Sequence, residues 1–379
     1  MIQLPITRPR FDDAEIEGVR RCLASGWVTQ GPLTRDFEDR VAAIHGVEHA
    51  LATTSCTAAL HLATLALGLG PGDEVVVPAF TWITSANAAE YVGARAIFAD
   101  IDPATYNLDP AALEAAITPR TRAVIAVHLF GLAAPMDEIL ETAVRHDLAV
   151  IEDAACGIGT TYNGQPVGGI GDIGCFSFHP RKVVTTGEGG MVTTNDAELA
   201  KRVASFRNHG TTGTPATPAP WSMNEFGVLG FNLRLSDIQA AIGLAQLDKL
   251  DTLLAERRTA AWKYCELLAD VGDLVLPLAG DRDGHTYQSY VVRLRSGGRE
   301  RRNAAMSALA KAGIQTRPGT HAVHRLGYYA EKYHLQEEDF PRAAECEDTT
   351  ITLPLFPGMT PDDQERVASM LRSSLAGST

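Results

Sequence analysis

From about residue 34 onward, short unbroken apolar runs alternate with stretches in which apolar residues recur every three or four positions. The runs at 74–78, 94–99, 121–127, 148–151, 173–178 and 190–194 predict short strands buried on both faces. Between them, 57–67, 82–91 and 135–146 are built largely on Ala and Leu and predict helices. Strands alternating with helices predict an α/β fold, with a mainly parallel sheet covered on both faces. Ser236-Asp-Ile-Gln239 has the form of a capping box, in which serine and glutamine satisfy free backbone donors at a helix start. Ile238, Ala241, Ile242 and Ala245, then more loosely Leu250 and Leu254, extend this start into one long helix. The expected division is a large domain at 1–251, including the N-terminal segment, and a smaller α+β domain at 252–379. The smaller one carries a strand at 287–294 and helices at 302–312 and 361–371. The Pro-rich stretch 215–220 predicts a loop.

Composition narrows the partners. The 379 residues are 45% hydrophobic, enough for one large core and a smaller second one. A formal net charge of -13 argues against general affinity for nucleic acid or anionic membrane. No apolar stretch approaches the length of a membrane span, and residues 1–11 carry Pro and Arg where a signal peptide needs an apolar run. The six cysteines are scattered with no Cys-x-x-Cys pair, which predicts reduced thiols in a cytoplasmic protein rather than disulfides or a metal site.

The densest chemical signal is Cys175-Phe-Ser-Phe-His-Pro-Arg-Lys-Val-Val-Thr-Thr-Gly-Glu-Gly-Gly190. A buried strand ends at His179-Pro180, because proline cannot donate to a ladder. Lys182 therefore stands where a strand's carboxyl end opens into a loop, the usual ligand position in an open α/β sheet. Alone it reads as a surface lysine beside a glycine-rich turn. The P-loop spacing is absent. Three residues at other strand ends change the weighting. Asp153 follows an apolar strand and suits a pyridinium partner, or equally a helix cap. Ser55-Cys-Thr57 precedes a helix and suits phosphate, or a plain cap. Trp82 follows a third strand and suits ring stacking, or core packing. Together they meet the needs of an aldehyde cofactor held by a lysine, whose amine must be unprotonated to attack.

In this order, these segments resemble the DegT/DnrJ/StrS family of sugar aminotransferases. The likeness runs from Gly26-Trp-Val-Thr-Gln-Gly-Pro32 to Leu353-Pro-Leu-Phe-Pro-Gly-Met-Thr360, by way of Val127-His-Leu-Phe-Gly131 and Gly230-Phe-Asn-Leu-Arg-Leu-Ser-Asp-Ile-Gln-Ala-Ala241. The resemblance implies the fold type I architecture of pyridoxal 5'-phosphate (PLP) dependent transferases and a homodimer with shared active sites. It implies Lys182 as the Schiff-base lysine and Asp153 as the partner of the pyridine nitrogen, with Trp82 stacked on the ring. Cys56, Thr57 and Ser177 would hold phosphate, joined by Asn232 of the neighbouring subunit. Asn232 by itself reads as a turn residue. Cys156 stands where the family usually has Gln or His near the ring hydroxyl, and a thiol is a weak partner there.

The expected activity is ping-pong transamination, from glutamate or glutamine to a keto sugar, nucleotide-linked by family analogy. Arg234 and Arg317 suit a carboxylate or phosphate, and His321 and His324 are further substrate candidates beside structural roles. A cyclitol ketone is an alternative acceptor. A PLP-binding regulatory protein is the reading from another class, and no helix-turn-helix or basic patch supports it. Related dehydratases replace the lysine with histidine, whereas this chain keeps Lys182.

Overall fold

The computed structural model describes residues 2–213, 219, 221–278 and 284–376. Apart from Ala219, the loop expected at 215–220 lies outside them. Seven strands form the central sheet: β1 (His49–Thr53), β2 (Glu74–Pro78), β3 (Arg95–Ala99), β4 (Thr121–Val127), β5 (Ala149–Ala154), β6 (Ile173–Ser177) and β7 (Gly190–Thr194). Their spatial order is β1-β7-β6-β5-β4-β2-β3. All pairings from β6 to β3 are parallel, and β7 alone runs against its neighbours. The expected mainly parallel α/β sheet is present. β1 was not among the predicted strands. The carboxyl ends of β2, β4, β5 and β6 share one edge, and each feeds a loop there.

Helices cover both faces. The first four are α1 (Asp13–Ser25), α2 (Pro32–His45), α3 (Cys56–Ala66) and α4 (Thr84–Tyr91). The predicted long helix is two: α5 (Asp237–Leu247) and α6 (Leu250–Leu268). They part at Lys249, whose ammonium pairs with Asp12 and Glu15 at the start of α1. Continuing the helix would carry that charge away from both carboxylates. The expected boundary at 251/252 thus falls inside the first turn of α6.

The Ser236–Gln239 capping box is formed as expected. Its glutamine has a second task, since Gln239 Nε2 donates to the Glu188 carbonyl at 2.7 Å, in the glycine-rich loop. Asp237, the next residue, is buried and joins two motifs far apart in sequence. Its carboxylate accepts from the N–H groups of Gly31, Leu33 and Thr34 and from the Thr34 hydroxyl. Helix α2 has no side-chain cap of its own, so Asp237 of α5 satisfies its orphan donors.

The C-terminal part packs α6 against the antiparallel strands β8 (Tyr290–Leu294) and β9 (Thr350–Leu353) around Tyr264, Tyr290 and Ile351. Leu4 belongs to this core, and Gln3 and Leu4 both donate to the Gly313 carbonyl. The N-terminal segment, expected with the large domain, therefore packs against the C-terminal one.

Candidate active site

At the common edge of β2, β4, β5 and β6 lies a cleft of about 420 Å³. Cys56, Thr57, Trp82, Asp153, Cys156, Ser177, Lys182 and Arg317 all line it. Residues from 55 to 182 meet there because the strands deliver successive loops to one edge, and Arg317 reaches it from the C-terminal part.

The cradle at one end is built from backbone. Ser55 caps α3, its hydroxyl accepting from the Ala58 N–H at 3.1 Å. This leaves the N–H groups of Cys56 and Thr57 without a protein acceptor among the described residues, at a helix N-terminus where an anion is favoured. Burial, and then the charge of Asp153, push the Cys56 thiol well above its ordinary value. It therefore stays neutral and does not repel an anion. Gly190 of β7 passes directly beneath this turn. A Cβ there would meet Ser55 C, Ser55 O and Cys56 N at 2.4, 2.5 and 2.6 Å, all backbone atoms. Gly190→Ala is expected to destabilise the fold by about 1–3 kcal/mol and to weaken PLP uptake. A PLP titration alongside thermal melting checks both; unchanged affinity in a folded variant would refute the cradle.

Asp153, near the end of β5, is buried beside the cleft. Its Oδ2 accepts from the Ser85 hydroxyl at 2.7 Å and its Oδ1 from the Ala155 N–H at 3.1 Å. Among the described residues it makes no ion pair. A buried carboxylate of this kind suits a cationic ligand group. Glu152, one position earlier, points to the opposite face of the sheet. There it accepts from the Gly168, Ile170 and Gly171 N–H groups and from His128 Nε2 at 2.9 Å. The Ala134 N–H donates to His128 Nδ1, which leaves the ring proton on Nε2. Burial alone would raise the Glu152 carboxyl, but the His128 hydrogen bond and the glycine donors hold it below its ordinary range. Two adjacent carboxylates thus divide their tasks: Glu152 anchors the strand, and Asp153 faces the cleft.

Lys182 is half-buried, and its Nζ lies 3.2 Å from Cys156 Sγ. The turn that carries it is fixed locally. Lys182 N–H donates to the His179 carbonyl, and Arg181 N–H donates to His179 Nδ1. Gln288 Nε2 holds the Arg181 carbonyl from the C-terminal part. His179 and Gln288 also line the cleft, as does Glu188. These three and Ser85 were not read from the sequence as site residues, for no local spacing marks them. Trp82 projects into the cleft with 51% of its surface open, 5.5 Å between ring centres from His321.

The remaining candidates separate. Arg317 lines the cleft, and among the described residues its guanidinium donates to the Pro318 and Gly319 carbonyls and makes no ion pair. Burial and then the charge of Arg181 lower its pKa from the ordinary value. His321 sits beside Trp82 and pairs with Glu347 at 3.7 Å. His324 is buried, its ring packed on Phe340 and its Nε2 against the Glu337 carbonyl, away from the cleft lining. Asn232 is exposed, and Arg234 donates to Asn208 at 2.6 Å; neither lines the cleft of its own chain.

The residues present fit PLP: two free N–H groups for phosphate, a buried carboxylate for the ring nitrogen, an indole for the ring face and an amine. Comparison with known proteins agrees. The chain is 42% identical over 371 residues to GDP-perosamine synthase of Caulobacter vibrioides, covering 97% of each chain. It is 39% identical over 381 residues to the spore coat polysaccharide biosynthesis protein SpsC of Bacillus subtilis, covering 99% of this chain and 97% of that one. The Streptococcus pneumoniae protein Spr1654 in its PMP-form superposes with a TM-score of 0.94 at 28% identity, covering 99% of both chains, and its PLP-form with 0.93. The profile of one family matches residues 9–372, and this chain, a PLP-dependent enzyme, belongs to the DegT/DnrJ/EryC1/StrS aminotransferase family.

Proposed function

We propose that this aminotransferase moves an amino group from glutamate or glutamine to a keto sugar linked to a nucleotide. The observation that carries the acceptor class is the 42% identity, over 97% of both chains, with a synthase whose product is carried on GDP. When bound, PLP supplies an electron-withdrawing ring that acidifies the donor's α-carbon. Lys182 Nζ takes the proton from that carbon and, in the return half of the cycle, delivers one to the acceptor carbon. Asp153 orients the ring through its nitrogen, and the α3 N-terminus holds the phosphate. Trp82 covers one face of the ring and excludes water from it. Arg317, which makes no ion pair among the described residues, offers its guanidinium to a donor carboxylate or an acceptor phosphate. A panel of GDP-, UDP- and dTDP-linked keto sugars, each with glutamate or glutamine, tests the reading. With free ketones and cyclitols included as further acceptors, turnover with one nucleotide sugar is expected; turnover only with the free ketones or cyclitols would refute it.

The working form is a homodimer in the cytoplasm, with Asn232 completing the partner's phosphate site. In support, the stretch of chain leading to Asn232 exposes large apolar side chains, including Trp221 (83% exposed), Met223 (83%) and Leu229 (88%), which suit burial against a second copy. No helix among the described residues is long and apolar enough to cross a membrane. Lys182→Ala and Asn232→Ala, each inactive alone, should regain about one quarter of wild-type activity when co-refolded, because half the dimers are mixed and each carries one intact site. No recovery would refute shared sites.

A further inference from the structure

Behind Asp153 stands a hydroxyl with no part so far in the chemistry. Ser85, in the first turn of α4, is fully buried and does not line the cleft. Its Oγ lies 2.7 Å from Asp153 Oδ2, 3.0 Å from Thr81 Oγ1 and 3.2 Å from the Trp82 carbonyl oxygen. An ionised carboxylate only accepts, so the Ser85 proton belongs to Asp153, the shorter contact, with the Trp82 carbonyl taking a lesser share. Ser85 then has only lone pairs left for Thr81, whose hydroxyl must donate. The result is a directed relay from Thr81 through Ser85 to Asp153, in which each bond polarises the next.

We propose that Ser85 is a positioning residue that aims the Asp153 carboxylate at the ring nitrogen of PLP. The hydroxyl fixes the carboxylate's rotation. Through the Trp82 carbonyl it also ties the group at the ring's edge to the residue at the ring's face. With Ser85 removed, the Ala155 N–H is the one donor left to the Asp153 side chain among the described residues. The proposal rests on Asp153 being the partner of the ring nitrogen, and its test separates the two claims.

Equilibrium dialysis of the purified enzyme measures binding of pyridoxamine phosphate and of its 1-deaza analogue, in which C–H replaces the ring nitrogen. Wild type is expected to prefer pyridoxamine phosphate; equal binding of the two would overturn the Asp153 assignment itself. Ser85→Ala is expected to weaken pyridoxamine phosphate about tenfold, as for a lost hydrogen bond to a charged group. Its affinity for the deaza analogue should stay unchanged, and Ser85→Thr should restore wild-type binding of both. A discrimination undiminished in Ser85→Ala, whether from no loss or from equal losses for the two ligands, would overturn the role of Ser85 while leaving Asp153 in place. If Ser85→Ala fails to fold, Ser85→Cys preserves the volume with a weak donor and must show the same split.

Discussion

Lys182→Ala is expected to lower kcat by about 10⁴-fold or more, while the protein folds as before and still takes up pyridoxamine phosphate. The neighbouring cations in the cleft do not stand in for the amine, since an arginine side chain does not serve as a base. His179 commits Nδ1 to the Arg181 N–H, so its free nitrogen is the one that carries the proton. The fold should tolerate the change, since Lys182 is only half-buried and its recorded side-chain hydrogen bond is to a thiol, a weak partner. Single-turnover assays with glutamate separate this from a binding defect. Lys182→Arg should be equally inactive, because it restores the charge and not the base. Turnover within tenfold of wild type in either variant would remove Lys182 from its role.

Asp153→Asn should produce the second largest loss, about 10²- to 10³-fold in kcat, in line with breaking a buried, hydrogen-bonded charge pair. The amide keeps the volume and can still accept from Ser85 or Ala155, so the melting temperature should change little. What is lost is the negative charge that holds a proton on the ring nitrogen. The deficit should therefore shrink with a cofactor analogue methylated at that nitrogen, whose positive charge is permanent. A deficit of the same size with that analogue would assign the loss to geometry instead of charge.

The sheet was legible where buried β-branched runs end at punctuation. Pro78 closes β2, and the glycines before Met191 open β7; both strands lie at the predicted positions. β1 was not legible. His49-Ala-Leu-Ala-Thr53 carries neither alternation nor a β-branched run, and it is a strand because β7 pairs with its full length. Helices α5 and α6 read as one because the apolar spacing runs on through Leu250 and Leu254. They part at Lys249, which meets Asp12 and Glu15 in a contact across more than two hundred positions that no local pattern encodes.

The site divides in the same way. Lys182 and Asp153 could be suspected because each lies at or just past the end of a strand visible in the sequence, and Thr57 because it opens a helix. Ser85 lay one residue beyond the segment that drew attention to Trp82, and a serine in the first turn of a helix passes for a cap. Its value comes from Asp153, sixty-eight positions away. His324 drew attention as a substrate candidate in the stretch 316–324, and it is buried and packed on Phe340. Polar character alone could not separate these two cases.

Gln239 limits which sequences can stand at the start of α5. A capping box accepts glutamate and glutamine alike, so a helix considered alone would drift freely between them. Here the amide nitrogen is spoken for by the Glu188 carbonyl. A carboxylate at 239 would keep the helix start and set two acceptors face to face, at the loop that follows the lysine. The choice between two interchangeable helix-start residues is thus made by the loop of the active site.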